Sequence, residues 1–346
     1  MRGGVLLTER LFLLFLRLPL VGRVLCIAAI TMVFFGIAIH FVEPHTFPTI
    51  FDGIWWAIIT ASTIGYGDFV PTSFEGKIVG ITLIVVGAGF VSTYFVSLAT
   101  TAVQRQNAVN EGKIAYVSKH DHMIIVGWNE RSRYVIKELT RLYPEVRIVL
   151  IDGTLREKPV SDIQVHFIQG SADQDHILQK AGIDHAHTVI ITADPNVSEV
   201  QSDMRTILQL IAVKGCNQSI YCIVEILTKH QVNNAIRAGA DEIIESNYLT
   251  GSVLMNTLVN HGISKALSSI LSQNHGSKVE FIETPEEIMG QTFSMVIQKF
   301  YQDEMLVIGI KKRGETLVNP PFDTKIEAGD ELLLIRGHYK NKSSNS

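Results

Sequence analysis

The sequence predicts a multidomain chain: an α-helical two-span membrane part, an α/β part built as a doubly wound parallel sheet of Rossmann type, and a small α+β part at the end. Three observations predict it. Two stretches, residues 24–42 and 78–103, contain no Asp, Glu, Lys or Arg and are each long enough to cross a hydrocarbon core. From residue 120 onward, short apolar runs alternate with amphipathic segments and turn residues, the pattern of parallel strands joined by helices. The last part, residues 278–336, is rich in short strands and turns, including NPPFD at 319–323 and EAGDELLLI at 327–335.

Composition sets the outer limits. The 346 residues are 47% apolar and only 18% charged, with the apolar content concentrated in the first third, so membrane and water-facing parts coexist. A net charge of −4 without a basic helix or base-stacking aromatic array excludes a nucleic-acid partner. The three cysteines, Cys26, Cys216 and Cys222, form neither a CxxC pair nor an even framework, which places the second part in a reducing cytosol.

In the membrane part, residues 5–20 mix long apolar side chains with Glu9, Arg10 and Arg17, as an interfacial helix does. Residues 24–42 make the first span; the run is too long for a signal peptide, and no small-residue cleavage site closes it. Pro44 and Pro48 break the chain at the far face. Residues 50–62, with Trp55 and Trp56, are too short to span and read as a re-entrant helix whose C-terminal dipole end favours a cation. Those tryptophans suit an interfacial belt and a cuff around the following loop equally.

That helix runs into TIGYGD, residues 63–68. Small or φ-permissive residues alternate with Ile64 and Tyr66, and Gly65 and Gly67 can take the positive φ that turning successive carbonyls to one side demands. The hexapeptide resembles the selectivity filter of potassium channels. The resemblance implies K⁺ as permeant ion, carbonyl rings from Thr63, Ile64, Gly65 and Tyr66, the Thr63 hydroxyl at the inner end and Asp68 at the outer mouth. One loop supplies only one wall of a pore, and the chain holds a single filter, so a homotetramer is expected. Four Arg precede the first span, Arg105 and Lys113 follow the second, and only Lys77 lies between the spans; a multi-pass protein of the cell membrane with both termini in the cytoplasm follows. Gly87 and Gly89 lie midway along the second span; Gly87 resembles the gating hinge of this channel class, with plain helix packing the competing reading.

The cytoplasmic part opens with a strand at 122–126, the turn GWNERSR at 127–133, a helix at 134–142 and a strand at 147–151 ending in Asp152. A helix N-terminus suits phosphate and an acid after the second strand suits ribose, so Gly127, Asn129, Ser132 and Asp152 are the candidate site for an adenine nucleotide or NAD. The loop is GxNxxS rather than GxGxxG, which limits close approach of a pyrophosphate. Strands are expected at 164–168, 188–192, 220–226 and 242–244, with helices at 177–181, 199–213 and 231–238. With GSAD at 170–173, AGI at 181–183 and AGAD at 238–241, this order resembles the RCK domain, the regulator of potassium conductance; residues 255–273 would be its helical crossover.

The resemblance covers nearly the whole chain in the order of prokaryotic two-span, RCK-gated potassium channels. It implies a ligand-gated channel that performs no bond chemistry, in which RCK domains, with additional separately made copies in some members, form a ring that pulls on the second helices. Calcium-gated members carry two glutamates two residues apart on the strand at 220–226. Here Glu225 matches one, Leu227 stands at the other, and Asp194 lies near the family's aspartate, so a divalent-cation site at Asp194 and Glu225 is incomplete. His120/His122 and His185/His187 each set two imidazoles on one face of an extended chain, suited to a transition metal or to protons, with solvent-exposed strand edges the plainer reading. Two rival functions stand beside the channel. One is a regulatory subunit of a K⁺ transport system, which would not need its own pore. The other is a membrane-anchored NAD-dependent oxidoreductase, for which no catalytic His–Asp pair stands out. The expected boundaries are 1–20 for the interfacial helix, 21–105 for the pore, 106–119 for a polar linker, 120–245 for the Rossmann-like domain, 246–275 for the crossover, 276–338 for the last subdomain and 339–346 for a disordered tail.

Overall fold

A computed structural model of the chain describes residues 15, 18–117, 121–160, 164–271 and 278–336. The predicted interfacial helix, His120 and the tail beyond residue 338 fall wholly or almost wholly outside these. Two compact units are distinguished, one of residues 1–192 and 208–222, the other of residues 193–207 and 223–346.

In the first unit, α1 (Leu20–Val42) and α3 (Phe74–Asn110) are long and apolar enough to cross a membrane. At about 1.5 Å per residue the 23 residues of α1 cover a hydrocarbon core of about 30 Å, whereas α2 (Ile50–Ala61), with 12, does not. Helix α2 starts where it does because Thr49 and Asp52 form a reciprocal capping box: the Thr49 hydroxyl accepts from Asp52 N–H at 3.2 Å, and Asp52 Oδ2 accepts from Thr49 N–H at 3.0 Å. Ser73 caps α3 by accepting from Gly76 N–H at 2.9 Å. Phe35, Ile39, Phe47, Trp56 and Leu83 form the buried core between the three helices. Helix α3 runs past the predicted end at residue 103 to Asn110, without a break at Gly87 or Gly89.

The same unit holds four parallel strands in the order β3-β2-β1-β4: β1 (His122–Val126), β2 (Ile148–Asp152), β3 (Val165–Gln169) and β4 (Ala186–Ile191). Met123 pairs with Ile148 on one side and Thr188 on the other, so the strand order reverses at β1 and opens a switch point between the C-terminal ends of β1 and β4. Helix α4 (Glu130–Leu142) follows β1 and α5 (Asp175–Lys180) follows β3. Continuous runs such as Ile148–Asp152 are buried throughout, as strands covered on both faces must be.

Helix α6 (Glu199–Cys216) leads to β5 (Tyr221–Ile226), which pairs in parallel with β6 (Glu242–Glu245) across α7 (Val232–Arg237). All six predicted parallel strands are thus present, shifted by two residues at most. The crossover holds two helices: α8 (Ser246–Val259) starts at residue 246, the expected domain boundary and nine residues before the helical run read at 255–273, and a turn through Gly262, φ +98°, separates it from α9 (Ile263–Leu271). The left-handed conformation at Gly262 ends one helix where the apolar pattern alone reads as continuous. The last subdomain is α+β, an antiparallel sheet ordered β7-β10-β8-β9 from β7 (Lys278–Glu283), β8 (Met305–Lys312), β9 (Glu315–Val318) and β10 (Glu331–Arg336). Helix α10 (Phe293–Tyr301) buries Phe293, Val296 and Phe300 against its face.

Candidate functional site: an ion filter and a self-occupied nucleotide fold

The filter loop leaves α2 through its last carbonyls, since Ile59 O accepts from both Ile64 N–H (3.0 Å) and Gly65 N–H (3.2 Å). Thr63, Gly65 and Gly67 have φ of 62°, 58° and 77°, while Ile64 and Tyr66 do not enter the positive region. Alternating hands at successive residues turns every carbonyl to the same side, which an extended strand cannot do. Thr63 holds this conformation without being glycine, at a backbone cost of order 1–3 kcal/mol. Trp55 takes the cuff position rather than the belt: its ring lies parallel to Tyr66, centroids 6.1 Å apart, and its indole N–H donates to Asp68 Oδ2 at 2.8 Å. Trp56 turns the other way and is buried against Phe47.

Two residues that the sequence did not single out brace this loop. Glu43, at the C-cap of α1, accepts from the N–H and hydroxyl of both Thr72 and Ser73, the closest at 2.5 Å from Ser73 Oγ. Burial raises the pKa of this carboxyl, but the Ser73 hydroxyl and the Thr72 and Ser73 N–H groups outweigh it and hold the value at about 2. The signal available in the sequence was its position as the one acid between the first span and the prolines. Ala61, the last residue of α2, meets Gly87: a Cβ on Gly87 would lie 2.8 Å from Ala61 Cβ and 3.0 Å from its Cα.

Family models match both parts of the chain. The one described as Ion channel matches residues 19–104, and the one described as TrkA-N domain matches residues 123–246. The putative potassium channel protein YugO of Bacillus subtilis is 40% identical over 332 residues, 95% of this chain and 99% of that protein. The chain belongs to the two-span potassium channels with a cytoplasmic TrkA-N domain. The calcium-gated potassium channel TvoK of Thermoplasma volcanium is 25% identical over 84% of this chain and 83% of its own. In fold, the solved human SLO3 gating ring is similar over 62% of this chain and 44% of that chain, at TM-score 0.51 and 18% identity. The expectation of a channel that carries out no bond chemistry agrees with this membership.

The channel's Rossmann-type turn was expected to offer N–H groups to phosphate, and in the ligand-free chain those groups have partners within the turn. Asn129 caps α4, its Oδ1 accepting from Arg131 N–H at 2.9 Å and Ser132 N–H at 3.1 Å, and Ser132 Oγ accepts from Asn129 N–H at 2.9 Å. Asp152 is equally committed: Oδ2 accepts from Trp128 N–H at 2.8 Å, while Oδ1 accepts from Thr154 N–H and hydroxyl, each at 2.7 Å, and from Leu155 N–H at 3.0 Å. Across the switch point, Asn129 Nδ2 donates to Thr192 Oγ1 at 3.0 Å, and a Cβ on Gly127 would lie 2.7 Å from that oxygen. The four residues assigned from sequence do come together, but as partners of their own loop. In the ligand-free chain the side-chain oxygens of Asn129, Ser132 and Asp152 are thus engaged by neighbouring backbone N–H groups.

The cation pair is also engaged within the chain. Glu225 accepts from Ala193 N–H at 2.8 Å and from the Ser246 hydroxyl at 2.5 Å, and Asp194 accepts from Arg205 at 2.6 Å and Asn196 N–H at 2.9 Å. Among the described residues no group of three or more His, Cys, Asp or Glu is placed to hold a metal. His122 is buried with Nε2 2.9 Å from Ala181 O, and His187 pairs with Asp121 at 2.8 Å, while His120 lies outside the described residues.

Proposed function

We propose that four copies of the chain surround one axis and conduct K⁺ through rings of oxygens from the carbonyls of Thr63, Ile64, Gly65 and Tyr66, with the cytoplasmic TrkA-N lobe controlling opening in response to a ligand. The alternating hand of Thr63 to Gly67 carries this reading, because it is the backbone form that replaces an ion's hydration shell with carbonyl dipoles. One chain contributes a single filter, so closure of the ring requires further copies. The Thr63 hydroxyl ends the filter on the inner side and Asp68 marks the outer mouth, with both termini in the cytoplasm as the Lys and Arg distribution directs. The C-terminal end of α2 adds partial negative charge where a dehydrating cation needs it.

The ligand class follows less directly. An adenine nucleotide would have to displace Asn129 from the α4 N–H groups and Trp128 from Asp152, and a divalent cation would have to displace Ser246 and Ala193 from Glu225. A ligand of either class therefore competes with these bonds or shares their acceptor oxygens.

Liposome flux tests the conduction reading. Purified protein passes K⁺ and Rb⁺ and largely excludes Na⁺, and Gly65→Ala abolishes that preference. Equal Na⁺ and K⁺ flux through the wild type overturns it.

A further inference from the structure

The pore-lining helix does not end in a free connector. Helix α3 closes with a Schellman turn: Gly112 N–H donates to Val109 O at 3.1 Å, Lys113 N–H donates to Ala108 O at 2.9 Å, and Gly112 sits at φ +66°. The chain then lies along the Rossmann-type sheet as a strap. Asn110 O accepts from Lys158 N–H at 2.7 Å, Gly112 O from Gln169 N–H at 3.1 Å and Ile114 O from His166 Nε2 at 2.9 Å, while Tyr116 N–H donates to Lys180 O at 2.8 Å. The polar linker expected at 106–119 is therefore helix to Asn110 and bonded strap from there to Tyr116.

Two side positions fix the strap. A Cβ on Gly112 would lie 2.4 Å from Gln169 N and 3.0 Å from Ile168 C, so only glycine allows the helix end to meet the β3 backbone. At the other end the Tyr116 ring sits between His122 of β1, centroids 4.6 Å apart, and His166 of β3, 5.5 Å apart. Its hydroxyl oxygen is buried without a hydrogen-bond partner among the described residues. Leaving that oxygen without a partner has a cost of about 1–3 kcal/mol, so the ring's position is held by its aromatic contacts and not by its oxygen.

We propose that Gly112 and Tyr116 are coupling residues: they lock the cytoplasmic end of the pore-lining helix onto β1, β3 and α5 of the same subunit, so that any displacement of those elements moves α3 without slack. This rests on the channel reading. A helix end held at four alternate residues, 110, 112, 114 and 116, moves with the body it is bonded to, whereas a polar tether of the same length absorbs several ångströms by changing its own dihedrals.

The test uses the full chain in liposomes, with single-channel recording in plain buffer and with Ca²⁺ or ADP as probes, alongside hydrogen exchange of the same protein. Tyr116→Phe keeps the ring and removes an oxygen that has no partner among the described residues; its open probability matches the wild type. Tyr116→Ala and Gly112→Ala release the strap by unrelated routes, and each changes open probability by at least about fivefold, the lower end of ordinary coupling between sites, with K⁺ over Na⁺ selectivity unchanged. The double variant changes it no further than the larger single one, because both act on one strap. In both alanine variants the amides of Lys158 and Gln169 lose protection while those of β1 and β4 keep theirs. Wild-type open probability in variants whose Lys158 and Gln169 amides have lost protection overturns the proposal, as does retained protection at both amides. If Tyr116→Ala loosens β1 as well, His166→Phe, which deletes only the bond to Ile114 O, carries the same comparison. Absence of K⁺ flux in the wild type sinks the channel reading instead, and amide protection still decides whether the strap is held as described.

Discussion

The indole N–H of Trp55 donates to Asp68 Oδ2 at 2.8 Å, tying the pore helix to the residue that ends the filter. The same ring lies parallel to Tyr66, with 7° between planes, so one side chain holds both the aromatic and the acid of the filter. A hydrogen bond to a charged acceptor is worth about 1.5–3 kcal/mol, less where water reaches the pair. Trp55→Phe retains the aromatic ring but removes the donor. At about 1 kcal/mol, it shortens the time for which the filter stays conductive roughly fivefold, read as faster current decay during sustained opening, with ion preference preserved. Unchanged decay in Trp55→Phe and in Asp68→Asn would show that the bond does not stabilise the conducting filter.

Gly87 separates two explanations of one residue. As a hinge it acts through backbone freedom, and Gly87→Ala stiffens α3 by about 1 kcal/mol per subunit. As a packing site it acts through Ala61, because the added methyl would sit 2.8 Å from Ala61 Cβ at the base of the filter. We expect Gly87→Ala to shift open probability and Gly87→Ala/Ala61→Gly to restore much of it, since the second change removes the 2.8 Å methyl contact, leaves only the 3.0 Å approach to the Cα of residue 61, and leaves α3 just as stiff. A double variant that gates like Gly87→Ala alone identifies the hinge.

Glu43 makes the join between the end of α1 and the start of α3 acid-sensitive. Its carboxyl is held at about 2 against an ordinary 4.5, so the folded state favours the ionised form. A depressed pKa contributes stability that is complete above the unfolded value and is lost as pH falls toward the folded one. The wild type should therefore lose thermal stability as pH falls from about 4.5 towards 2. Glu43→Gln can accept only through one oxygen, leaving N–H groups of Thr72 or Ser73 unmatched. It should be less stable at neutral pH by about 1–3 kcal/mol and show a smaller loss across the acid range. Melting curves of both proteins against pH check this, and parallel curves would contradict it.

Local patterns were legible and long-range ones were not. The filter, the short pore helix and the first strand, His122–Val126, could be read because each depends on the spacing of its own residues. The cap at Asn129 was in principle readable, since Asn followed three residues later by Ser before a helical run is a capping signal, yet the nucleotide reading of GWNERS claimed the same groups. Glu43 and Ser73 are thirty residues apart, and Gly112 meets Gln169 across fifty-seven; nothing in sequence spacing reports such pairs. The second span was read as ending at residue 103, where its apolar stretch stops, and a polar linker as starting at 106, whereas the helix continues to Asn110.

Asp152 offers the sharpest separation between a ligand residue and a structural one. Its two oxygens accept four hydrogen bonds from Trp128, Thr154 and Leu155, and it is 8% exposed, so substitution leaves buried donors without acceptors whether or not a ligand binds. Asn at this position keeps one acceptor oxygen; if that oxygen stays with Thr154 and Leu155, its NH₂ faces the Trp128 N–H, donor against donor. We expect Asp152→Asn to destabilise the cytoplasmic part by about 1–3 kcal/mol and to raise exchange at the Trp128 amide, in buffer free of nucleotide. Calorimetry of the full chain with ADP or NAD⁺ then supplies the contrast. A wild-type binding heat that disappears in Asp152→Asn, with melting temperature and Trp128 protection unaltered, would make the carboxylate a ribose ligand that the described bonds merely occupy in the free state. A lowered melting temperature with no wild-type heat makes Asp152 the clasp that holds the turn after β1 to the end of β2.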